Sequence, residues 1–468
     1  MSWELNLEEV IRVTKGRLLS QEATSWSGVG ADTRDDLIGQ LFVALRGDQF
    51  DAHDFVKQAV KKGATGLLVD KAISPFKGSI GTVTVVQVED TLKGLQDLAN
   101  FWRRKHQAKV IAITGSTGKT TTKEFTATLL KKKFKTHFSK GSYNNHWGVP
   151  LTLLGIDSTH EIAVVEMGMN HCGELTRLCE IAEPDVTLVT NVGQAHIGQL
   201  GSQQAVVDAK WEIYRSCPDS IQVYNLANEY TFAMYTEAVE KAVEKIITFS
   251  DDKPDSDVNL RVTALGLDFI QVMGFIGRVE GKSSVPVFGR QNGANTMAAA
   301  ALALAVGMEP EEIWSSISEL HCVWGRNQLV HLKNGTQVLF DGYNANPESM
   351  AALIKNIVEI KTKGRKIYIF GEMLELGAET GRFHRELGEM VGSTDADMVW
   401  FVGPSKADFE QGLKRSHFQK TTYLSDSYEH DLAFHIGSVL NDQDIVVIKG
   451  SRGMKLEQVL QKWDPIDF

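Results

Sequence analysis

Short runs of apolar residues recur along the chain, and each of them ends in a cluster of small or polar residues. These runs cover residues 110–113, 162–165 and 186–190 in the middle third, and 338–340, 367–370, 399–402 and 445–448 in the last third. Helix-like segments such as 349–359 and 383–391 separate them. Short β-branched runs that alternate with helices are typical of parallel α/β sheets. Ligands of such sheets bind at the carboxyl ends of the strands, so the polar clusters are candidate functional positions.

The first ~105 residues have a different pattern, with shorter apolar runs at 41–45, 66–69 and 83–88. A basic stretch at 103–106 precedes the first strand of the middle third, and a second boundary is expected near 322–325. A length of 468 residues is too great for one undivided core and suits about three domains. We therefore predict a small N-terminal α/β domain (1–107), a central parallel-sheet domain (108–322) and a C-terminal Rossmann-like domain (323–468).

The composition is that of a globular protein and narrows the range of partners. Lys and Arg number 49 against 59 Asp and Glu, a net charge of −10, which argues against a nucleic-acid coat or a membrane-surface protein. The longest apolar run, 297–308, is too short to span a bilayer, and no secretory signal is visible at the start. The four cysteines form no Cys-x-x-Cys pair, so we expect reduced thiols and a cytoplasmic location.

A candidate phosphate-binding loop follows the run at 110–113. It comprises Thr114, Gly115, Ser116, Thr117, Gly118, Lys119, Thr120 and Thr121. Glycines let backbone N–H groups converge on phosphate, Lys119 supplies a cation, and the Thr120 hydroxyl is placed to bind Mg²⁺. The strict pattern has Gly where this chain has Ile113, so the loop is a shortened variant. A plain helix-capping turn is the alternative, and ATP binding is the favoured interpretation.

Three further side chains in the same region are candidates for metal chemistry. Glu166 ends the second apolar run of the middle third, and a carboxylate there can hold Mg²⁺ opposite Thr120. His196 follows the next run, where a loop histidine without a ligand is the ordinary alternative. Lys210 lies in a helical segment, and a solvated lysine is what its residue type alone indicates.

Taken together, these motifs resemble the Mur ligase family over essentially the full length, and within it the branch that adds D-alanyl-D-alanine. The residues that carry the resemblance are 114–121, 142–145, 148–154, 166–168, 191–193, 195–196, 209–210, 212–213, 289–292, 295, 325–326, 341–349, 371–377 and 449–452. Each motif is weak alone, and their order and spacing together are specific.

The resemblance implies ATP and two Mg²⁺ ions as cofactors. It implies that Thr120 and Glu166 hold the first ion, and that His196 and Lys210 hold the second, with Lys210 converted by CO₂ to a carbamate. Lys119, Lys210, His196 and Glu166 are then the catalytic residues.

The resemblance also implies the nucleotide contacts. Asn292 and Asn295 would flank the adenine, Arg326 would bind phosphate, and Asp341 would bind the ribose. Helix capping by Asn292, a surface charge at Arg326 and a loop-capping Asp341 are the structural alternatives.

The substrate residues that the resemblance implies lie in both halves of the chain. Thr33, Arg34 and Arg46 would hold the UDP end of the substrate, for which arginine suits a diphosphate. Surface placement is about as good an interpretation for any one of them. The remaining assignments are Asn144 and Asn145 to substrate, and Asn344 and Asn346 to the incoming dipeptide, with an Asn/Pro turn as the alternative for the last two.

The implied activity is an ATP-dependent ligation of D-Ala-D-Ala to UDP-MurNAc-tripeptide through an acyl phosphate, in peptidoglycan synthesis, by a monomer. Three alternatives remain: a Mur ligase that adds a diamino acid, a folylpolyglutamate synthase, and a phosphate-loop module without ligase activity. The Asp-Asn-Pro-Arg tetrapeptide often found in the diamino-acid-adding relative is absent from this sequence.

Overall fold

The structure is a computed structural model that describes residues 4–47, 50–71, 83–193 and 200–468. Its contacts divide the chain into two compact units. The first unit comprises Met1–Thr114, Leu130–Leu188 and Trp211–Gln222, and the second comprises Gly115–Leu129, Val189–Lys210 and Val223–Phe468. The three domain boundaries expected from the sequence stay a prediction.

Strands and helices alternate along most of the described chain. The strands are β1 (Leu5–Asn6), β2 (Arg17–Ser20), β3 (Ser25–Trp26), β4 (Val29–Gly30), β5 (Leu41–Val43), β6 (Gly66–Val69), β7 (Thr84–Gln87), β8 (Lys109–Thr114), β9 (Thr136–Phe138), β10 (Ile162–Glu166), β11 (Val186–Val189), β12 (Ile221–Asn225), β13 (Ile246–Phe249), β14 (Val258–Leu265), β15 (Ile270–Ile276), β16 (Val279–Val285), β17 (Gln328–His331), β18 (Gln337–Asp341), β19 (Lys366–Gly371), β20 (Met398–Val402), β21 (Thr421–Ser425) and β22 (Ile445–Lys449).

The α-helices are α1 (Leu7–Thr14), α2 (Val56–Lys61), α3 (Thr91–Lys105), α4 (Lys119–Leu130), α5 (Gly148–Leu154), α6 (Glu174–Ala182), α7 (Gln203–Arg215), α8 (Glu229–Glu240), α9 (Gln291–Ala305), α10 (Pro310–Ser316), α11 (Pro347–Glu359), α12 (Thr380–Gly392), α13 (Lys406–Arg415), α14 (His430–Ser438) and α15 (Glu457–Leu460). Short 3-10 helices cover Ala52–Phe55, Ile317–Glu319, Gly377–Glu379 and Arg452–Met454.

The first unit contains two separate sets of paired β-strands, and most of the pairs are parallel. A five-stranded sheet has the order β2-β7-β6-β5-β4, in which only the β2–β7 pair is antiparallel. Strands β8 and β9 both pair in parallel with β10. Because parallel strands end at one edge, Thr114 at the end of β8 and Glu166 at the end of β10 lie on the same side of this sheet.

The second unit contains a six-stranded sheet with the order β17-β18-β22-β19-β20-β21, and only the β17–β18 pair is antiparallel. Leu339 and Tyr368 lie in one buried apolar cluster, whereas Phe340 and Ile369 lie in another. Successive side chains point to opposite faces of a strand, so the sheet is covered on both faces, as parallel sheets are.

The mixed α/β fold with parallel sheets is confirmed, and the predicted strands lie where the apolar runs indicated. The sequence pattern missed β14, β15 and β16, which pair antiparallel in the second unit. Polar or small residues interrupt the apolar positions of all three strands, so they contain no long continuous apolar run. In the described part of the chain, no helix has the length and apolar character needed to cross a membrane.

Candidate functional site

The predicted phosphate loop lies between a strand and a helix, as its motif requires. Strand β8 ends at Thr114 and α4 begins at Lys119. Gly118 has a φ of +80°, and a Cβ atom there would lie 2.5 Å from Asn295 Oδ1. Gly115 has a φ of +148°, and a Cβ atom there would lie 1.9 Å from Thr190 Oγ1. Glycine is therefore needed at both positions for backbone conformation and for space.

Asn191, which follows β11, braces this loop. Its side-chain Oδ1 accepts from Thr117 N at 3.0 Å, its Nδ2 donates to Thr117 Oγ1 at 2.8 Å, and its carbonyl accepts from Ser116 N at 3.0 Å. The Ser116 hydroxyl in turn accepts from Gly193 N at 2.8 Å. Sequence reasoning named Asn191 in a motif but gave it no role, although an amide that follows a buried strand was the available signal.

Two cations lie at the loop and at the first turn of α4. Lys119 Nζ donates to the carbonyl of Gly115 at 2.6 Å, so the ammonium lies across the loop. Arg326 Nη2 donates to Thr120 Oγ1 at 2.9 Å, and its guanidinium lies 4.4 Å from the centre of the Tyr343 ring. The structure thus brings Arg326 to the hydroxyl predicted to bind Mg²⁺. Thr121, the last residue of the motif, is partly buried in the same turn.

The two asparagines predicted to flank adenine lie beside the loop. Asn295 Nδ2 donates to Asn292 Oδ1 at 2.8 Å, and Asn295 Oδ1 accepts from Thr122 Oγ1 at 3.3 Å. Asn292 is buried and donates to the carbonyl of Phe288 at 2.7 Å. The N-cap of α9 is Arg290, so Asn292 lies in the first turn and does not cap the helix as the structural alternative supposed, while Asn295 reaches α4.

Asp341, at the end of β18, is buried and forms an ion pair with Lys449 at the end of β22. Lys449 Nζ also donates to the carbonyl of Asn344 at 3.0 Å. Asn346 Oδ1 accepts from Ser349 N at 2.8 Å and caps α11, as the turn alternative describes. Lys449 had no role in the sequence analysis, because an ion pair across neighbouring strands depends on strand order.

Lys210 is not a solvated lysine. It lies on α7 with 1% of its surface exposed. Burial and the nearby charge of Lys119 hold its pKa well below the usual value, and the carboxylate of Glu348 opposes them. Burial disfavours a charged amine, so the neutral, nucleophilic form is favoured.

In the first unit, Glu166 is buried at the end of β10. Asn144 Nδ2 donates to its Oε1 at 2.7 Å, and its Oε2 has no hydrogen-bond partner among the described residues. A buried carboxylate oxygen without a donor is costly unless a cation satisfies it. Asn145 lies next to Asn144, but its Oδ1 accepts from Gly148 N at 2.9 Å at the start of α5. Asn144 thus orients the candidate ligand, and Asn145 shapes the turn.

The predicted UDP-binding residues form two ion-paired groups in the first unit. Arg34 is exposed and pairs with Asp32, and Thr33 between them is partly buried. Arg46 pairs with Asp70. The two arginines are thus held by neighbouring aspartates, and the resemblance remains the basis for their assignment.

The prediction for His196 lies outside the described residues. Within the described chain, no group of three or more His, Cys, Asp or Glu side chains is arranged to hold a metal ion. The metal ligands implied by the resemblance include a threonine hydroxyl and a modified lysine. Neither residue type belongs to a cluster of His, Cys, Asp or Glu side chains.

Comparison with known proteins identifies the class. Residues 113–303 match the Mur ligase middle domain, and residues 325–452 match the Mur ligase glutamate ligase domain. The chain is 32% identical over 464 residues to a UDP-N-acetylmuramoyl-tripeptide–D-alanyl-D-alanine ligase of Bacillus subtilis, which covers 97% of both chains. The chain therefore belongs to the Mur ligase family, and it is an ATP-dependent ligase.

Within that family, solved structures of one member are similar over nearly the whole chain. A crystal structure of MurF from Acinetobacter baumannii has a TM-score of 0.86 and 28% identity, covering 98% of each chain. MurF from Thermotoga maritima in complex with ADP has a TM-score of 0.77 and 25% identity, covering 93% of this chain and 96% of the other. The resemblance predicted from the motifs is confirmed.

Proposed function

We propose that this protein joins D-alanyl-D-alanine to UDP-MurNAc-tripeptide with ATP, which yields the pentapeptide precursor of peptidoglycan, ADP and phosphate. The observation that carries the proposal is the full-length match to a ligase of that name together with the phosphate loop between β8 and α4. A relative of this family has been crystallised with ADP, which supports ATP as the nucleotide.

The reaction has two steps. A carboxylate oxygen of the tripeptide attacks the γ-phosphorus, the bond to the bridging oxygen breaks, and ADP leaves. The neutral amine of D-Ala-D-Ala then attacks the acyl carbon, phosphate departs with the electron pair of the C–O bond, and the nitrogen loses a proton. Lys119 and Arg326 would stabilise charge on the transferred phosphoryl group, since this chemistry depends on positioning and electrostatics. Their contacts with the carbonyl of Gly115 and the hydroxyl of Thr120 support this assignment.

The donor set suits Mg²⁺. Thr120 and Glu166 would hold one ion through oxygen atoms, which hard cations prefer. The Oε2 of buried Glu166, which has no hydrogen-bond partner in the described part of the chain, supports this assignment. His196 and Lys210 would hold the other ion, His196 through an imidazole nitrogen and Lys210 through the oxygens of its carbamate. When bound, the ions supply positive charge that offsets the charge of ATP and the acidic substrate.

The proposal includes the conversion of the Lys210 amine to a carbamate by CO₂. A neutral amine adds to CO₂ through its nitrogen lone pair and loses a proton, which leaves an anionic group with two oxygen donors. Lys210 is buried beside a second cation, and both features favour the neutral amine. An unmodified neutral lysine offers a metal ion one nitrogen and no negative charge, whereas the carbamate offers two anionic oxygens, so the modification explains why a lysine stands at this position.

The remaining assignments follow the family resemblance. Asn292, Asn295 and Asp341 would bind the nucleoside of ATP. The substrate residues would be Thr33, Arg34, Arg46, Asn144, Asn145, Asn344 and Asn346. The domains would be 1–107, 108–322 and 323–468. We also propose that the protein acts in the cytoplasm as a monomer; its four cysteines are free thiols, which suits a reducing compartment.

The amine donor distinguishes this proposal from its relatives. ADP release is measured with ATP, UDP-MurNAc-tripeptide and one donor at a time: D-Ala-D-Ala, a diamino acid or glutamate. We expect D-Ala-D-Ala to give the largest kcat/KM by at least about 100-fold. A preference for a diamino acid or glutamate would assign the chain to another branch, and turnover independent of any donor would indicate a nucleotide-binding module.

A further inference from the structure

Cationic side chains follow three neighbouring parallel strands of the five-stranded sheet. Arg34 lies in the segment after β4, Arg46 in the segment after β5, and Lys71 in the segment after β6. Strand β5 pairs in parallel with both of the other strands. The three residues therefore follow the carboxyl edge of this sheet, where ligands of parallel sheets bind. The family resemblance implies a role for the two arginines, whereas neither the sequence analysis nor the comparisons assign one to Lys71.

Arg46 and Lys71 lie side by side because they share one carboxylate. Lys71 Nζ donates to Asp51 Oδ2 at 2.6 Å, and Arg46 Nε lies 3.9 Å from the same oxygen. Arg46 Nη2 also donates to Asp70 Oδ1. Burial raises the pKa of Asp51, but hydrogen bonds from Lys71 and His53 prevail and hold it below its usual range. This carboxylate is therefore an anion that anchors both cations.

His53 connects the two aspartates. Its side chain is buried, with 4% of its surface exposed. Nδ1 lies 2.6 Å from Asp51 Oδ1, and Nε2 lies 3.2 Å from both the N and the Oδ1 atoms of Asp70. Either protonation state of the ring can therefore bond both residues. The ring ties the loop that follows β5 to the end of β6 and sets the positions of the two carboxylates.

The exposed part of this cluster is mainly cationic. The side chains of Arg46 and Lys71 are 52% and 46% exposed, whereas those of Asp51 and Asp70 are 29% and 9% exposed. Two ordinary surface ion pairs are the structural alternative, but in such pairs both partners lie in solvent. Cations that are already held in place bind an anion with less loss of side-chain freedom. The surface therefore suits a diphosphate, whose two anionic groups are adjacent.

We propose that Arg46 and Lys71 together bind the diphosphate of UDP-MurNAc-tripeptide, and that His53 is the positioning residue that holds them side by side. This inference rests on the proposed function and adds Lys71 and His53 to the substrate site. Arg46 offers planar N–H groups and Lys71 a compact positive charge, and both suit phosphate oxygens. No bond is made or broken at the diphosphate, so the cluster acts on binding of this substrate and not on the two chemical steps.

Steady-state kinetics of the full-length enzyme test the role of Lys71. Lys71→Met removes the charge from a half-exposed side chain and keeps most of its length. We expect KM for UDP-MurNAc-tripeptide to rise by about fivefold or more, while kcat and the KM values for ATP and D-Ala-D-Ala stay within about twofold of wild type. Lys414→Met is the matched control, because Lys414 is an exposed lysine on α13 that pairs with Glu410 at 2.7 Å. It should leave all four parameters unchanged.

The positioning role of His53 is tested by a pair of variants. His53→Ala removes both ring contacts and should raise KM for UDP-MurNAc-tripeptide by about fivefold or more with little change in kcat. In His53→Asn the side-chain amide can still donate to Asp51, so this variant should recover part of the loss. When His53→Ala and Lys71→Met are combined, their effects should be less than additive, because both act on one group of contacting residues.

An unchanged KM for UDP-MurNAc-tripeptide in Lys71→Met would overturn the assignment of the cation pair, and the same result in His53→Ala would overturn the positioning role. A rise of similar size in KM for ATP would also overturn the inference, because a change confined to the diphosphate leaves the nucleotide site intact. A wild-type enzyme that does not turn over UDP-MurNAc-tripeptide with D-Ala-D-Ala would instead contradict the proposed function itself.

Discussion

Lys210 illustrates how the surroundings of one residue decide its chemistry. On a surface helix it would be a permanent cation, but here it is buried beside Lys119. Both features destabilise the ammonium, and they make the amine a nucleophile for CO₂. The carbamate assignment therefore predicts a specific chemical signature and a specific loss on substitution.

Lys210→Ala should reduce ligase activity by at least about 100-fold, since loss of outer metal-site partners alone costs about 10–100-fold. ATP binding should survive, because Lys119 and the loop backbone remain. Wild-type protein equilibrated with ¹³C-labelled CO₂ should give a carbamate NMR signal that the variant lacks. Asp208→Ala, an exposed position on the same helix, is the control. Full activity in Lys210→Ala would show the carbamate to be unnecessary.

For single residues, the sequence motifs predicted candidate roles, and the structure showed which atoms each side chain contacts. The surroundings of Glu166, whose Oε2 meets no donor among the residues that the structure describes, and the partner of Asp341 both depend on which strands lie side by side. Asn346 was equally compatible with a substrate contact and a helix cap, and its bond to Ser349 N is the cap. Strand order is a long-range property, so local patterns could not decide these roles.

At the scale of elements, the turn between β8 and α4 depends on glycine at two positions. Gly118 combines a φ of +80° with the close approach of Asn295. Gly201 has a φ of +82°, but a Cβ atom there would meet no atom of the described residues within 4 Å. An alanine at either glycine would introduce backbone strain, but only an alanine at Gly118 would also collide with Asn295 beside the phosphate loop. Comparing the two variants therefore separates the effect of strain from the effect of lost space.

Gly118→Ala should weaken ATP binding by about tenfold or more, because strain of about 1–3 kcal/mol combines with displacement of Asn295. Gly201→Ala should carry the strain and leave ATP affinity within about twofold of wild type. Calorimetric titration with ATP measures both. Equal affinities in the two variants would mean that the contact with Asn295 has no part in nucleotide binding.

Another element-scale feature links the starts of β19 and β22. The fully buried carboxylate of Asp444 accepts from Arg365 N at 2.9 Å and pairs with the guanidinium at 2.6 Å. Burial opposes ionisation of Asp444, but the hydrogen bonds from Arg365 prevail and lower its pKa. Stability from this group is therefore present above the unfolded-state pKa and is lost as pH falls through the folded-state pKa.

Asp444→Asn should lower the free energy of unfolding by about 1–2 kcal/mol at pH 7, a modest value because Arg365 is partly exposed and screened. Denaturant titrations should find the difference from wild type shrinking below about pH 4, where Asp444 of the unfolded chain takes up a proton, and lost as pH falls through the lower folded-state pKa. A difference that stayed constant down to pH 2 would exclude ionisation of Asp444 as its source.

The positions of the strands could be predicted where a local pattern, a continuous apolar run, marks a buried strand. Parallel strands buried on both faces give apolar runs, so all the runs singled out in the middle and last thirds coincide with strands. Strands β14 to β16 were missed because polar or small residues interrupt their apolar positions. The pairing of β22 between β18 and β19 could not be predicted, because local sequence patterns carry no information about which strands become neighbours.

At the scale of the whole molecule, the motifs that lie between the phosphate loop and residues 449–452 belong to one ATP-dependent ligase. Two family domains match across most of the chain, and relatives match nearly all of it. The second unit alone brings Lys119 to the phosphate loop and Arg326 to the first turn of α4. Both residues would stabilise charge on the transferred phosphoryl group.

The most direct test of the account is the mass of the product formed from ATP, UDP-MurNAc-tripeptide and D-Ala-D-Ala. We predict a product whose mass equals that of UDP-MurNAc-tripeptide plus that of D-Ala-D-Ala less one water. This product should form in a one-to-one ratio with ADP. If ADP accumulates and no such species forms, or if it forms only with another amine donor, the central claim is contradicted.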